Sequence, residues 1–175
     1  VRANARRLGS EIARAGHTLI TGACSGIPHE AVMGAYNSGG RIVGFSPATD
    51  LQDHVKKFNY PAEGYSQMVF VPPHFDFKGE MTLSAKYRSI SAVANSDVVI
   101  IAGGSLGTMA EFAIALDSGK TIGILEGTGG ITDNAIDALL AASGRSESKI
   151  FRHSDPSALL RKLIEADEQD KHITF

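Results

Sequence analysis

Short apolar runs alternate along this chain with longer stretches in which apolar residues recur every three or four positions. The runs at 17–21, 41–46, 67–71, 97–102, 121–125 and 149–153 are rich in Val, Ile or Leu, the pattern of strands covered on both faces. Between them the spacing predicts helices over 28–37, 79–95, 107–118, 131–142 and 156–167. An amphipathic helix over 2–15 comes first, with Ala5, Leu8, Ile12 and Ala13 on one face. Boundary residues agree: Pro28 suits a first helical turn, Gly16, Gly39-Gly40 and Gly119 suit helix ends, and Ser154-Asp155 offers a cap before Pro156. Strand–helix–strand repetition with right-handed crossovers builds an α/β fold, a doubly wound parallel sheet with helices on both faces. Such a unit normally opens on a strand, which predicts that residues precede Val1 in the native protein. The rhythm breaks only over 47–80, where Pro47, Pro61, Pro72 and Pro73 surround one strand and a short helix over 50–58. A loop-rich stretch of that length is usually functional or mobile.

Composition narrows the picture. At 175 residues, 43% of them hydrophobic, the chain suits one domain spanning 1–175. A net charge of −2 with no basic stretch longer than two residues argues against a nucleic-acid polymer as partner. No run approaches the roughly 18 apolar residues of a membrane helix, so no membrane partner is expected. The single cysteine, Cys24, has no internal disulfide partner, and a reduced, cytoplasmic setting is the expectation. The six histidines show no metal-ligand spacing, and no metal site is expected.

The candidate chemistry lies in the loops. GGSLGTMAE, residues 103–111, follows directly on DVVIIA. Small residues between a strand and a helix let main-chain amides approach an anion at the helix N-terminus, a phosphate cradle in which the Thr108 hydroxyl adds a donor. Glu111 lies about a turn into that helix, where it faces whatever the loop holds or pairs with a neighbouring helix. TGACSGI, residues 21–27, ends an earlier strand at the same edge, and Gly22 and Gly26 line the expected crevice. LEGTGGI, residues 125–131, adds a third glycine loop with Gly129 and Gly130. Three decoys fail: GKT at 119–121 lacks the earlier Walker glycine, HEAVM at 29–33 has Met33 where a second histidine would bind zinc, and no GxGxxG is present. Cys24 reads as a small packed side chain more readily than as a nucleophile. His74 either reaches the crevice or sits on a surface loop.

The stretch from Gly104 to Glu111 resembles the signature of the LOG-type (lonely-guy, formerly lysine decarboxylase-like) proteins, Pro-Gly-Gly-x-Gly-Thr-x-x-Glu. These belong to a Rossmann-like nucleotide-binding superfamily that also holds molybdenum cofactor carriers. Gly104, Gly107, Thr108 and Glu111 match; Gly103 stands for the proline and Ser105 for the second glycine. The family's arginine nine residues before a strand-opening aspartate is matched by Arg88 and Asp97, but its flanking Met-His and lysine are here Ala85, Lys86 and Ser89. The resemblance implies a Rossmann-like domain, a homodimer or higher oligomer, and cleavage of the N-glycosidic bond of a nucleoside 5′-monophosphate. Arg88 would orient or protonate, and Glu111 would stabilise charge at the anomeric carbon or activate water. Gly103, Gly104, Ser105, Gly107 and Thr108 would hold the phosphate. The alternative is a non-catalytic carrier of a nucleotide or pterin-type cofactor, which the altered arginine neighbourhood and the extra glycine loop favour. No cofactor is required by the residues themselves.

Overall fold

The computed structural model describes residues 1–173. Two compact units divide the chain, one from Arg2 to Asn95 and the other from Ser96 on.

In the first unit the elements are α1 (Arg2–Arg14), β1 (Leu19–Thr21), α2 (Ile27–Asn37), β2 (Ile42–Phe45), α3 (Leu51–Lys56), β3 (Gln67–Val69) and α4 (Met81–Ala94). The strands form a parallel sheet in the order β1-β2-β3, with Leu19 opposite Ile42 and Val43 opposite Gln67. α1 and α2 pack backbone to backbone. A Cβ on Gly9 would lie 1.9 Å from the Ala31 carbonyl oxygen, and one on Gly34 would lie 1.9 Å from that of Arg6. The seam is finished by the Arg6–Glu30 ion pair at 2.7 Å and by the Ser10 and Ser38 hydroxyls at 2.7 Å.

The second unit holds β4 (Val98–Ile101), α5 (Leu106–Asp117), β5 (Thr121–Leu125), α6 (Ile131–Asn134), α7 (Ile136–Ser143), β6 (Ile150–His153) and α8 (Pro156–Ile173). Its sheet is again parallel, in the order β4-β5-β6. β5 is buried at every position and is the spine of this unit. Leu159 and Leu163 of α8 pack with Leu125, and Val98, Ile100, Ala102 and Phe151 close around them. Gly123 makes room for that contact, since a Cβ there would sit 2.5 Å from Leu163 Cδ1.

Both sheets are wholly parallel and joined by helical crossovers, as the alternating pattern requires, and the fold class is α/β and Rossmann-like. Two expectations shift. The helix expected over 131–142 is two helices broken at Ala135, whose backbone leaves the helical region at φ −124°. The helix expected from 79 begins at Met81, because 72–80 is spent on tight turns in which Phe75 N–H bonds to the Pro72 carbonyl and Glu80 N–H to that of Phe77. Asp155 caps α8 as anticipated, its carboxylate accepting from Ala158 N–H at 2.9 Å. Among the described residues no helix is long and apolar enough to cross a membrane.

Candidate functional site

Two glycine loops of the second unit are tied into one rim at the carboxyl ends of β4 and β5. Gly103 and Gly104 both hold positive φ, 58° and 82°, which turns the chain sharply from β4 into α5. Gly103 N–H donates to the Thr128 hydroxyl at 2.8 Å, and that hydroxyl donates to the Leu125 carbonyl at 2.6 Å. Ile131 N–H then donates to the Gly104 carbonyl at 3.2 Å, crossing between the loops a second time. Gly130 lies so close that a Cβ would be 2.1 Å from the same oxygen. Thr132 locks the second loop from inside, donating to the Gly129 carbonyl at 2.7 Å, while Gly129 N–H is given to the Asp133 carboxylate at 3.1 Å.

The entry to α5 stands open. Ser105 is the N-cap, with no side-chain capping bond, and its carbonyl takes the first helical bond from Met109 N–H at 2.9 Å. The N–H groups ahead of that bond are therefore aimed outward with the helix dipole behind them. Gly104, Ser105 and Gly107 are exposed, and Thr108 folds its side chain back over Gly104, where a Cβ would be only 1.9 Å from Thr108 Oγ1. Glu111 is half-buried on the second turn; of its neighbours Phe112 is fully buried, whereas Ala110, Ala113 and Leu116 are only partly covered.

In the first unit the structure joins Gly22 to Arg88. Arg88 Nη1 donates to the Gly22 carbonyl at 2.7 Å, and a Cβ on Gly22 would sit 1.6 Å from that nitrogen, so only glycine lets the guanidinium lie there. Ala23 follows with φ 50°, unusual for a residue with a side chain, and is fully buried. Its N–H bonds back to the Thr21 hydroxyl at 3.2 Å. The Tyr65 ring lies across Gly44 beside Ala23. Its hydroxyl is buried with no partner at normal hydrogen-bond geometry, and burial pushes its pKa up to about 12. The Thr21 hydroxyl opposes that rise without making a full bond, and Cys24 adds to it. Gly26 stands apart, exposed at the N-cap of α2 with φ 86°. Arg88 thus belongs to the first unit, and Gly103, Gly104, Ser105, Gly107, Thr108, Glu111, Gly129 and Gly130 to the second.

Sequence reading missed Thr128 and Thr132, the hydroxyls that fasten the loops. A threonine inside a glycine run signals such a fastening only once the neighbouring loop is known. His74 is exposed on its turn. Cys24 is partly buried and free. Among the described residues no group of three or more His, Cys, Asp or Glu is placed to hold a metal ion.

Comparison with known proteins agrees with this architecture. An uncharacterized protein of Archaeoglobus fulgidus is 30% identical over 124 residues, 70% of this chain and 68% of its own length. The X-ray structure of TM1055 superposes with a TM-score of 0.74 at 24% identity, covering 94% of this chain and 87% of that one. The molybdenum cofactor binding protein from the phototrophic bacterium Rippkaea orientalis follows with a TM-score of 0.70 at 24% identity, over 94% of this chain and 86% of its own. At that identity these two structures speak for the fold alone. The profile of the SLOG cluster4 family matches residues 1–160, and the chain belongs to that family.

Proposed function

We propose that this protein binds a phosphorylated small molecule, a nucleotide or a pterin-type cofactor, and holds it without cleaving it. The observation that carries this reading is the open N-terminal turn of α5. It offers main-chain donors without a side-chain cap, on a loop held in shape by Thr128. Donors fixed before the ligand arrives cost little reorganisation when it binds. Gly104, Ser105, Gly107 and Thr108 hold the phosphate, while Gly103, buried with its N–H given to Thr128, sets the turn beneath them. Gly129 and Gly130 brace the cradle, since the Gly129 N–H is already given to Asp133 and Gly130 packs against Gly104. The cofactor-binding neighbour of the same fold supports the carrier reading. So does Arg88, which is engaged by the Gly22 carbonyl.

A second reading is phosphoribohydrolysis of a nucleoside 5′-monophosphate, as in LOG-type enzymes. Glu111 favours it, sitting partly covered three residues beyond Thr108 as the signature demands. In that reading Glu111 stabilises positive charge developing at the anomeric carbon and Arg88 orients or protonates the base. We take the working assembly to be a homodimer; Leu83 and Ile90 on α4, 41% and 54% exposed, supply apolar surface suited to it.

The test is calorimetric titration with AMP and GMP, with free base and ribose 5-phosphate assayed in the same samples. Saturable binding without released base is expected. Thr108→Val should weaken it about tenfold, the loss of one hydrogen bond to a charged group worth about 1.5 kcal/mol. Release of base by the wild type, abolished by Glu111→Ala, would replace carriage with hydrolysis.

A further inference from the structure

The first unit contains a cavity of about 230 Å³ lined by Phe45, Ser46, Val69, Phe70, Tyr87, Arg88, Ser91 and Asn95. Its volume falls below the ~300–1,000 Å³ usual for drug-sized ligands, so it suits one bicyclic ring better than a whole nucleotide. Phe45, Phe70 and Tyr87 supply aromatic walls. The loop after β2 that forms one side is held rigid from behind by the fully buried His54. Its Nε2 faces the Pro61 carbonyl at 3.1 Å, an oxygen that can only accept. In the neutral ring Nδ1 is therefore the acceptor, and it takes the Ser46 hydroxyl proton at 2.9 Å.

One face of α4 carries the polar lining. Arg88, Ser91 and Asn95 are spaced i, i+3 and i+7, which aligns them along a single stripe. Arg88 and Ser91 have a fixed polarity. Arg88 spends Nη1 on the Gly22 carbonyl and Nε, weakly at 3.4 Å, on that of Ala85, which leaves further guanidinium N–H groups to donate. Ser91 commits its hydroxyl proton to the Tyr87 carbonyl at 2.9 Å, so its oxygen can only accept. Asn95, exposed at the rim, gives one amide N–H to the Ser91 carbonyl at 2.8 Å, which leaves Oδ1 to accept and the second N–H to donate. With Asn95 Oδ1 turned to the cavity, the order along the stripe is donor, acceptor, acceptor.

We infer that this cavity is a binding site for a planar bicyclic ring whose edge reads acceptor, donor, donor: the oxo, ring N–H and exocyclic amine of a pterin or a guanine. Arg88 takes the oxo oxygen, Ser91 the ring N–H and Asn95 the amine, with the aromatic side chains flanking the ring. Adenine, whose corresponding edge begins with a donor, mismatches Arg88. The assignment does not depend on the phosphate cradle, because it rests on residues of the first unit alone.

Fluorescence titration with unsubstituted pterin, and with its diamino analogue in which an amine replaces the oxo group, tests it. Neither carries a phosphate. Pterin is expected to bind at least ten times more tightly than the analogue. Ser91→Ala, which leaves the Arg88–Gly22 contact in place, should shrink that preference several-fold, whereas Asn95→Leu, facing the amine common to both rings, should weaken both several-fold and leave the preference as it was. Thr108→Val should leave the affinity for this phosphate-free pterin unchanged while it weakens binding of the nucleoside monophosphates about tenfold. Equal affinity for the two rings, binding of neither, a preference undiminished by Ser91→Ala, pterin affinity untouched by Asn95→Leu, or loss of pterin binding in Thr108→Val would overturn the assignment.

Discussion

Gly130 faces the backbone of Gly104, and that contact joins the two glycine loops of the second unit. Gly130→Ala would place a methyl group 2.1 Å from the Gly104 oxygen at a residue whose φ is 63°. Neither the carbonyl nor the backbone angle can yield cheaply, so we expect a cost of about 2–4 kcal/mol, and a Tm lowered by roughly 5–10 °C. An unchanged Tm would show that the loops do not depend on each other. Tyr65 makes a prediction of opposite sign. With the phenol held protonated to about pH 12 in the fold and to about 10.0 when unfolded, the unfolded chain loses this proton first. Stability is then undiminished below pH 10 and falls as the pH rises from there toward 12. Tyr65→Phe, which deletes a buried hydroxyl lacking a full partner, should remove this contribution and cost little at pH 7. Denaturant melts of both proteins between pH 8 and pH 11 check it; parallel curves would refute it. At this scale the sequence pointed to Gly104, Thr108 and Arg88 through motif spacing. It was silent on Gly22 as the seat of the arginine and on Thr128 as a fastener, since both depend on contacts between residues 66 and 25 positions apart.

Among the elements, α1 and α2 show glycine used against its own propensity. Alanine is the better helix former by about 1 kcal/mol, yet at Gly34 it would drive a Cβ into the Arg6 carbonyl at 1.9 Å. Gly34→Ala is therefore expected to destabilise by a net 1–3 kcal/mol, since overpacking against backbone outweighs the propensity gain. A thermal melt of the variant decides it, and a rise in Tm would mean that the helices separate without penalty. Strand positions were legible because a strand buried on both faces must be continuously apolar, as β5 is at every residue. The break at Ala135 was not legible. The pattern of ITDNAIDALLAA reads as one helix, and what interrupts it is a set of local bonds: Thr132 holds the Gly129 carbonyl, and Asn134 Nδ2 bonds the Gly130 carbonyl at 3.2 Å. Those bonds pin α6 to the glycine loop as a short brace, and α7 starts afresh. Helical periodicity carries no record of such side-chain commitments.

For the whole molecule, the parallel α/β architecture followed the alternation, whereas the glycine-loop motifs pointed to LOG-type proteins and the family shown is SLOG cluster4. The chemistry followed less closely, because the same motif residues suit a hydrolase or a carrier and the difference lies in what surrounds them. If the exposed apolar residues of α4 meet a second copy, light scattering should give twice the 18.5 kDa chain mass, and Ile90→Lys should return it to a monomer. A mass of one chain in the wild type would remove the dimer. The central claim, that the protein retains a phosphorylated ligand whole, is met most directly by native mass spectrometry of the chain purified without denaturation and then given nucleoside 5′-monophosphates. The account predicts an adduct with the mass of an intact phosphorylated nucleotide or pterin, displaced but not degraded by the added compounds. A chain that carries no adduct and turns them into free base and ribose 5-phosphate would contradict it.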